Sequence, residues 1–288
     1  MKHSLITLSA FIFLACASVD MAAVNDSTIQ IIFRADDMGS SHAANLATID
    51  AYKNGVVTSV EVMVPCPWFN EAARLLNQNK GLDVGIHLVL TSEWDDYRWR
   101  PITQGKSIRD PEGFCFQEVA PSGRLQSGYS LQQATIDLAE AEAELRAQIE
   151  IALKKIPHIS HVSEHMYFGS NNEALRKLVK KVAADYGLFA EFVLADQGVT
   201  KLSFPYTGPF EMRKQALLHL LKNLKPGNYW FLMHLAMDHP EMDGLFIGNQ
   251  PSVREDRYND YKLLTDTEVM QVIKEKNIKL VDHKAFRP

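Results

Sequence analysis

Cysteine is scarce in this 288-residue chain, which holds three, at positions 16, 66 and 115. With no CxxC pair, neither a disulfide framework nor a cysteine-built zinc or redox motif is encoded. Cys66 and Cys115 leave one bridge open, with two unpaired structural thiols as the equal alternative. Basic runs are missing too, and a formal net charge of −5 gives no electrostatic footprint for nucleic acid. Beyond the first residues no apolar run reaches the length of a membrane span. No glycine-rich fingerprint follows the first apolar segment, which lowers a dinucleotide-binding reading. Gly105-Lys106-Ser107 has Arg100 where a phosphate loop needs glycine, and no GxSxG elbow occurs. His239-Pro240-Glu241 fits part of an iron facial triad but sits in a Pro-bearing loop without a β-sandwich around it.

What remains is a globular composition, 46% hydrophobic and 23% charged, sized for one large domain or two small ones. Met1-Lys2-His3 followed by the apolar Ser4–Ala17 and small residues has the layout of a secretory signal. Cleavage after Ala17 or Ala23 is expected, leaving residues 24–288 as a single domain in the periplasm or outside the cell. Cys16 after Phe13-Leu14-Ala15 also resembles a lipoprotein box. Lipidation there is the one route this sequence offers to a membrane.

Along the chain, strand-like runs at Ile29–Arg34, Val57–Val64, Val84–Leu90, His158–Ser163, Phe189–Leu194, Trp230–Leu235 and Ile278–Val281 alternate with helical stretches. Those stretches are Trp68–Asn77, Leu131–Lys155, Asn171–Tyr186, Glu211–Leu224 and Asp266–Lys276; Leu138, Ala141, Leu145, Ile149 and Ala152 form an amphipathic stripe in the second. The alternation predicts an α/β fold with about seven parallel strands, a single (β/α) barrel, with a doubly wound open sheet as the alternative. Thr91–Gly128 is a long polar insert of the kind that is functional or disordered.

In such a fold chemistry gathers at the carboxyl ends of strands. Reading those ends gives Asp36 and Asp37, Cys66, His87, His165, Ala195-Asp196 and His234. In "HISHVSEHM" His161 and His165 lie four strand residues apart, about 13 Å. Two ligands on one ion are at most ~4 Å apart. His165, at the outer end, is therefore the better ligand, and His161 reads as an inward structural residue. Asp36 and Asp37 would face opposite sides of a regular strand, so both reach one site only where the strand ends, which Met38-Gly39 supplies. One carboxylate then ligates a cation while its neighbour stands beside it as a base.

"ADDMG" (Ala35–Gly39), "NGVVTSVEVMV" (Asn54–Val64), "GIHLVLT" (Gly85–Thr91), "HVSEHM" (His161–Met166) and "MHLAMD" (Met233–Asp238) occur in order over nearly the whole mature chain. In this the sequence resembles the YdjC-type carbohydrate deacetylases, which are similar in mechanism to polysaccharide deacetylases. The resemblance implies a distorted (β/α) barrel, a divalent metal on Asp37, His87 and His165, Asp36 as general base, His234 as general acid, and an N-acetylated sugar, commonly a short oligosaccharide, as substrate. It departs from the family in Ser163-Glu164, where Asp-Ser is usual, so support for His165 is expected to differ, and in Ala236 after His234-Leu235. Two histidines and a carboxylate suit Zn²⁺ best, with Mg²⁺, Mn²⁺, Co²⁺ and Fe²⁺ as alternatives. In "SEWDDYRWRP" Trp94, Tyr97, Arg98 and Trp99 are candidates for sugar stacking and hydroxyl binding, against an aromatic-pinned loop. The rival functions are a phosphoesterase on the same ligands, an O-acetyl rather than N-acetyl substrate, and a sugar-binding protein that does no chemistry. Oligomeric state is not encoded legibly.

Overall fold

A computed structural model describes residues 28–205, 208–248 and 253–287. The expected leader and Cys16 lie outside the described residues. The strands are β1 (Ile29–Met38), β2 (Ser59–Val62), β3 (Asp83–Leu88), β4 (Ile159–Glu164), β5 (Phe189–Ala190), β6 (Val199–Lys201), β7 (Gly227–His234) and β8 (Lys279–Leu280). Seven of them pair in parallel along one path, β5-β4-β3-β2-β1-β7-β6, and the short β8 adds to the lower part of β1. The path curls without closing, because β5 and β6 at its ends do not pair, giving a distorted half-barrel. Helices α1 (His42–Asn54), α2 (Phe69–Gln78), α3 (Leu138–Lys155), α4 (Glu173–Asp185), α5 (Phe210–Asn223), α6 (Val253–Leu264) and α7 (Thr267–Glu275) are the crossovers. Among the described residues none is long and apolar enough to cross a membrane.

Local chemistry sets these boundaries. Ser41, Asp137, Asn172 and Asp266 cap α1, α3, α4 and α7 by accepting backbone N–H groups. Strands buried on both faces carry short continuous apolar runs, as in Ile31–Phe33 and Trp230–Met233. The insert after β3 is anchored from α3. Glu144 accepts the N–H groups of Ile102 and Thr103, and the Gln148 amide pairs with both backbone groups of Val89.

Several elements differ from expectation: α1 is not among the expected helices, and of the expected helix Leu131–Lys155 only Leu138–Lys155 is α-helical, with a 3-10 turn at Leu131–Gln133. Only Phe189-Ala190 of the fifth apolar run pairs. Glu191–Gln197 coils into 3-10 turns, because a short apolar run fits either geometry. Residues of β6 give no periodic signal over three positions, two of them exposed. Helix α6 lacks an apolar stripe because its buried face includes Arg257, Asn259 and Asp260. Cys66 and Cys115 are buried and unbridged, packed in the cluster that holds Trp94 and Trp99.

Candidate metal centre

Two adjacent carboxylates reach one cavity through a defect inside the first strand, not through its end. β1 continues to Met38, but its register against β2 slips between Ala35 and Met38, one residue more than on the partner. Asp37 sits in that bulge with φ +66°, a left-handed conformation that a non-glycine residue adopts only under constraint. The break in alternation turns its side chain to the same side as Asp36.

Both carboxylates, with His87 and His165, line a cavity of about 530 Å³ at the carboxyl ends of the strands. Among the described residues Asp37, His87 and His165 bring one ligand atom each within 4.8 Å of one another, all three buried. Asp37 Oδ1 lies 3.3 Å from His165 Nδ1 and 3.6 Å from His87 Nε2, yet has no hydrogen-bond partner. The remaining ring nitrogens are held from behind, His87 Nδ1 by Ser163 Oγ at 2.7 Å and His165 Nε2 by Glu93 Oε2 at 2.9 Å. An orphaned carboxylate oxygen facing two supported imidazoles is the donor set and backing that a divalent cation takes. These residues fit the expected metal.

Around them, Arg34 grips Asp36 through two hydrogen bonds of 2.7 and 2.9 Å, and Arg257 donates to Asp37 Oδ2 at 2.6 Å. His234 stands opposite Asp36 in the β1–β7 register, half-buried at the cavity wall, its backbone N–H on Asp260. Among the four aromatic and basic candidates of the insert, Trp94 alone lines the cavity, with the Arg257 guanidinium 5.1 Å from its ring centre. Tyr97, Arg98 and Trp99 turn away from it. Tyr97 donates its hydroxyl to the Ser40 carbonyl, Arg98 is taken up by Asp110 and the Cys115 carbonyl, and Trp99 Nε1 donates to the Thr91 carbonyl. They pin the loop that presents Trp94. Asp196 is exposed on the 3-10 segment, and Glu241 of the discounted facial triad accepts the Ala43 N–H at the start of α1.

A family model described as YdjC-like protein matches residues 30–275. The chain belongs to the YdjC-like family. It is 31% identical over 266 residues to the carbohydrate deacetylase of Thermus thermophilus, covering 85% of this chain and 89% of that one. With the carbohydrate deacetylase of Thermoanaerobacter pseudethanolicus it shares 25% over 265 residues, or 89% and 99% of the two chains. Its fold is similar to that of a proposed cellobiose-phosphate cleavage protein from Enterococcus faecalis V583, with a TM-score of 0.72 over 91% of this chain and 100% of that one at 22% identity.

In this YdjC-like protein the charges around the centre are unequal. Burial pushes the Asp36 carboxyl up against the pull of Arg34, and with Glu61 and Asp37 nearby it settles at about 7. Burial acts on Asp37 too, but Arg257, His234 and His165 outweigh it and hold that carboxyl well below the usual range. Burial, with the nearby His165 and Arg257 charges, lowers His234 to about 4, so its imidazole is neutral at pH 7. For His165 burial is outweighed by Glu93 and Asp37, which raise it to about 10. Without a cation, a proton on Nδ1 therefore faces Asp37. The stability this contributes is complete below about pH 6.5 and lost as pH rises through about 10. A cation held by these residues at pH 7 would displace that proton. Calorimetric titration of metal into metal-free protein, in buffers of different ionisation enthalpy, is expected to show about one proton released per ion. Release of none would contradict this charge assignment.

The residues that sequence reasoning missed are the partners: Arg34, Glu93, Arg257 and Asp260. Arg34 and Glu93 lie inside the stretches singled out for other residues; Arg257 and Asp260 lie on the helix that showed no stripe.

Proposed function

We propose that this protein is a metal-dependent deacetylase of N-acetylated carbohydrate, acting on short oligosaccharides. The observation that carries the reading is the unpartnered Asp37 Oδ1 facing His87 and His165, beside a second carboxyl poised near neutrality. Its relatives named carbohydrate deacetylases support the substrate class. Asp37, His87 and His165 would hold the ion, Zn²⁺ by preference for two imidazoles and one carboxylate, with Mg²⁺, Mn²⁺, Co²⁺ or Fe²⁺ as alternatives. A divalent ion there supplies a Lewis acid, polarising the acetyl carbonyl and lowering the pKa of water.

The protein's own groups do the rest. Asp36, oriented by Arg34 and titrating near neutrality, is matched to take a proton from the attacking water. His234, neutral and on the neighbouring strand, donates a hydrogen bond to the acetyl oxygen as negative charge grows there. As acid toward the departing amine it has first to gain a proton, and Asp36 is the group that has one to return. Trp94, 2% exposed with the Arg257 guanidinium against its ring, shapes the cavity wall from behind. A second cavity of about 240 Å³ adjoins the first, the two sharing Glu164, Tyr167 and Lys201, which gives room for a neighbouring sugar ring. Residues 1–23 direct the work outside the cytoplasm in this reading; the mass of the mature chain recovered from the cell envelope checks it.

Metal-stripped protein with Zn²⁺, Mg²⁺ or Mn²⁺ added back is expected to release acetate from N-acetylated oligosaccharides, and Asp37→Ala and His165→Ala are expected to release none. No release from any acetylated sugar, with stoichiometric metal bound through these residues, would overturn the chemistry.

A further inference from the structure

Below the metal centre the half-barrel is filled with polar side chains, where such interiors normally hold layers of branched apolar ones. The strand register builds the layers. Ser59 lies beside Asp83 at the bottom, Glu61, Gly85 and His161 lie side by side in the middle, and His87 lies beside Ser163 at the top. All the polar members are buried. Gly85 is required at its place, because a Cβ there would run into Glu61 Oε2 and His161 Nε2. Ser160 is the extra residue where the β3–β4 register slips, and the slip lets its hydroxyl reach both Asp83 and His161.

Hydrogen-bond direction in this column follows from valence. An ionised carboxylate only accepts, and a serine hydroxyl has one hydrogen to give. Ser160 Oγ donates to Asp83 Oδ1 at 2.7 Å, so it accepts from His161 Nδ1, also at 2.7 Å. His161 Nε2 lies 2.6 Å from Glu61 Oε1 and donates as well, which makes the ring an imidazolium. Its partners Glu61 and Asp83 raise its pKa against burial, in the same direction. Ser163 Oγ donates to Glu61 Oε2 at 2.5 Å. Toward His87 Nδ1, 2.7 Å away, the same oxygen can then only accept. The His87 proton is thereby placed on Nδ1, and the Nε2 lone pair is left facing Asp37.

Glu61, His161 and His283 also cluster at the spacing of a metal site. Their donors do not converge on a point. The His161 and His283 rings stack 3.7 Å apart at 22°, so their in-plane lone pairs run side by side, and the short His161–Glu61 hydrogen bond occupies the gap. The cluster is a hydrogen-bonding base, not a second metal centre.

We propose that Glu61 is a positioning residue that fixes, through the Ser163 hydroxyl, the His87 tautomer able to ligate the cation. The inference rests on the metal-centre reading for the role of His87, while the tautomer itself can be read without any metal. In metal-free protein, long-range ¹H–¹⁵N spectra of the histidine rings are expected to show the His87 proton on Nδ1. In Ser163→Ala that preference is lost. Metal affinity, measured by chelator competition, is expected to fall about 10–100-fold in Ser163→Ala and in Glu61→Gln. The double variant is expected to be no weaker than the weaker-binding single variant, because both act on one hydrogen bond. Ser163→Thr keeps the hydroxyl and should retain wild-type affinity. A wild-type His87 proton on Nε2, or losses that multiply in the double variant, would overturn the proposal. Should Glu61→Gln not fold, the wild-type and Ser163→Ala spectra decide it. Should the protein bind no metal at all, the same spectra still decide the tautomer, and the failure belongs to the metal-centre reading.

Discussion

Asp36→Asn is expected to lower acetate release by roughly 10²–10⁴-fold while leaving the bound metal unchanged. An amide occupies the same space but cannot take a proton from water. Asp36 is committed to Arg34 by two short hydrogen bonds, and its closest approach to a ligand imidazole, 3.9 Å to His87 Nε2, is longer than that of Asp37. In the proposed mechanism, loss of the base and loss of the ion are therefore separable. Turnover and metal content measured on the same sample distinguish them. Metal lost in proportion to activity would make Asp36 a ligand, and turnover close to wild type would remove it from the chemistry. The pH profile carries the same information, since activity that depends on an ionised Asp36 rises with pH through its pKa, and the rise is absent in the variant.

The largest expected effect on stability is at Arg34. Its guanidinium is 1% exposed and faces three buried carboxylates: Asp36, Glu191 at 2.8 Å and Glu61 at 3.8 Å. Trp230 covers it, 4.6 Å from ring centre to guanidinium carbon. Arg34→Met keeps much of the volume and leaves the carboxylates without their shared cation. Breaking a buried pair in this way costs about 3–5 kcal/mol, a large part of the ~5–15 kcal/mol that holds a domain folded. Denaturant midpoints of metal-free protein at pH 7 measure it. The sign with pH is fixed. Against burial, His161 and Arg34 hold Glu61 below the ordinary carboxylate range in the folded protein. Its contribution is therefore present above about pH 4.3 and lost as pH falls toward the lowered value. The gap between variant and wild type should close as pH falls below about 4.3; a gap that stays constant from pH 7 down through that range would mean that lost packing against Trp230, and not charge, is the cause.

Much of this protein is legible in one dimension. Mainly apolar segments such as Ile29–Phe33 and Val84–Leu88, separated by helical stretches, point to a parallel sheet with crossovers, because strands buried on both faces return through a helix. That topology gathers Asp36, Asp37, His87, His165 and His234 at one end, since strand ends in a parallel sheet share a side. Spacing alone separated His161 from His165, and the structure places the first under the centre and the second in it.

Tertiary structure decided the rest, for reasons that no local window contains. The bulge at Asp37 exists because β1 must match the register of β2, and its left-handed φ has no glycine to announce it. Of the insert's aromatic and basic residues, Trp94 alone faces the cavity because Ser40, Thr91, Asp110 and the Cys115 carbonyl claim the polar groups of the other three. Arg257 comes to Asp37 from 220 positions away on a helix with no apolar stripe. Sequence fixes what each residue can donate, accept or bury. Which donor meets which acceptor depends on strand register and helix packing, and those are properties of the folded chain.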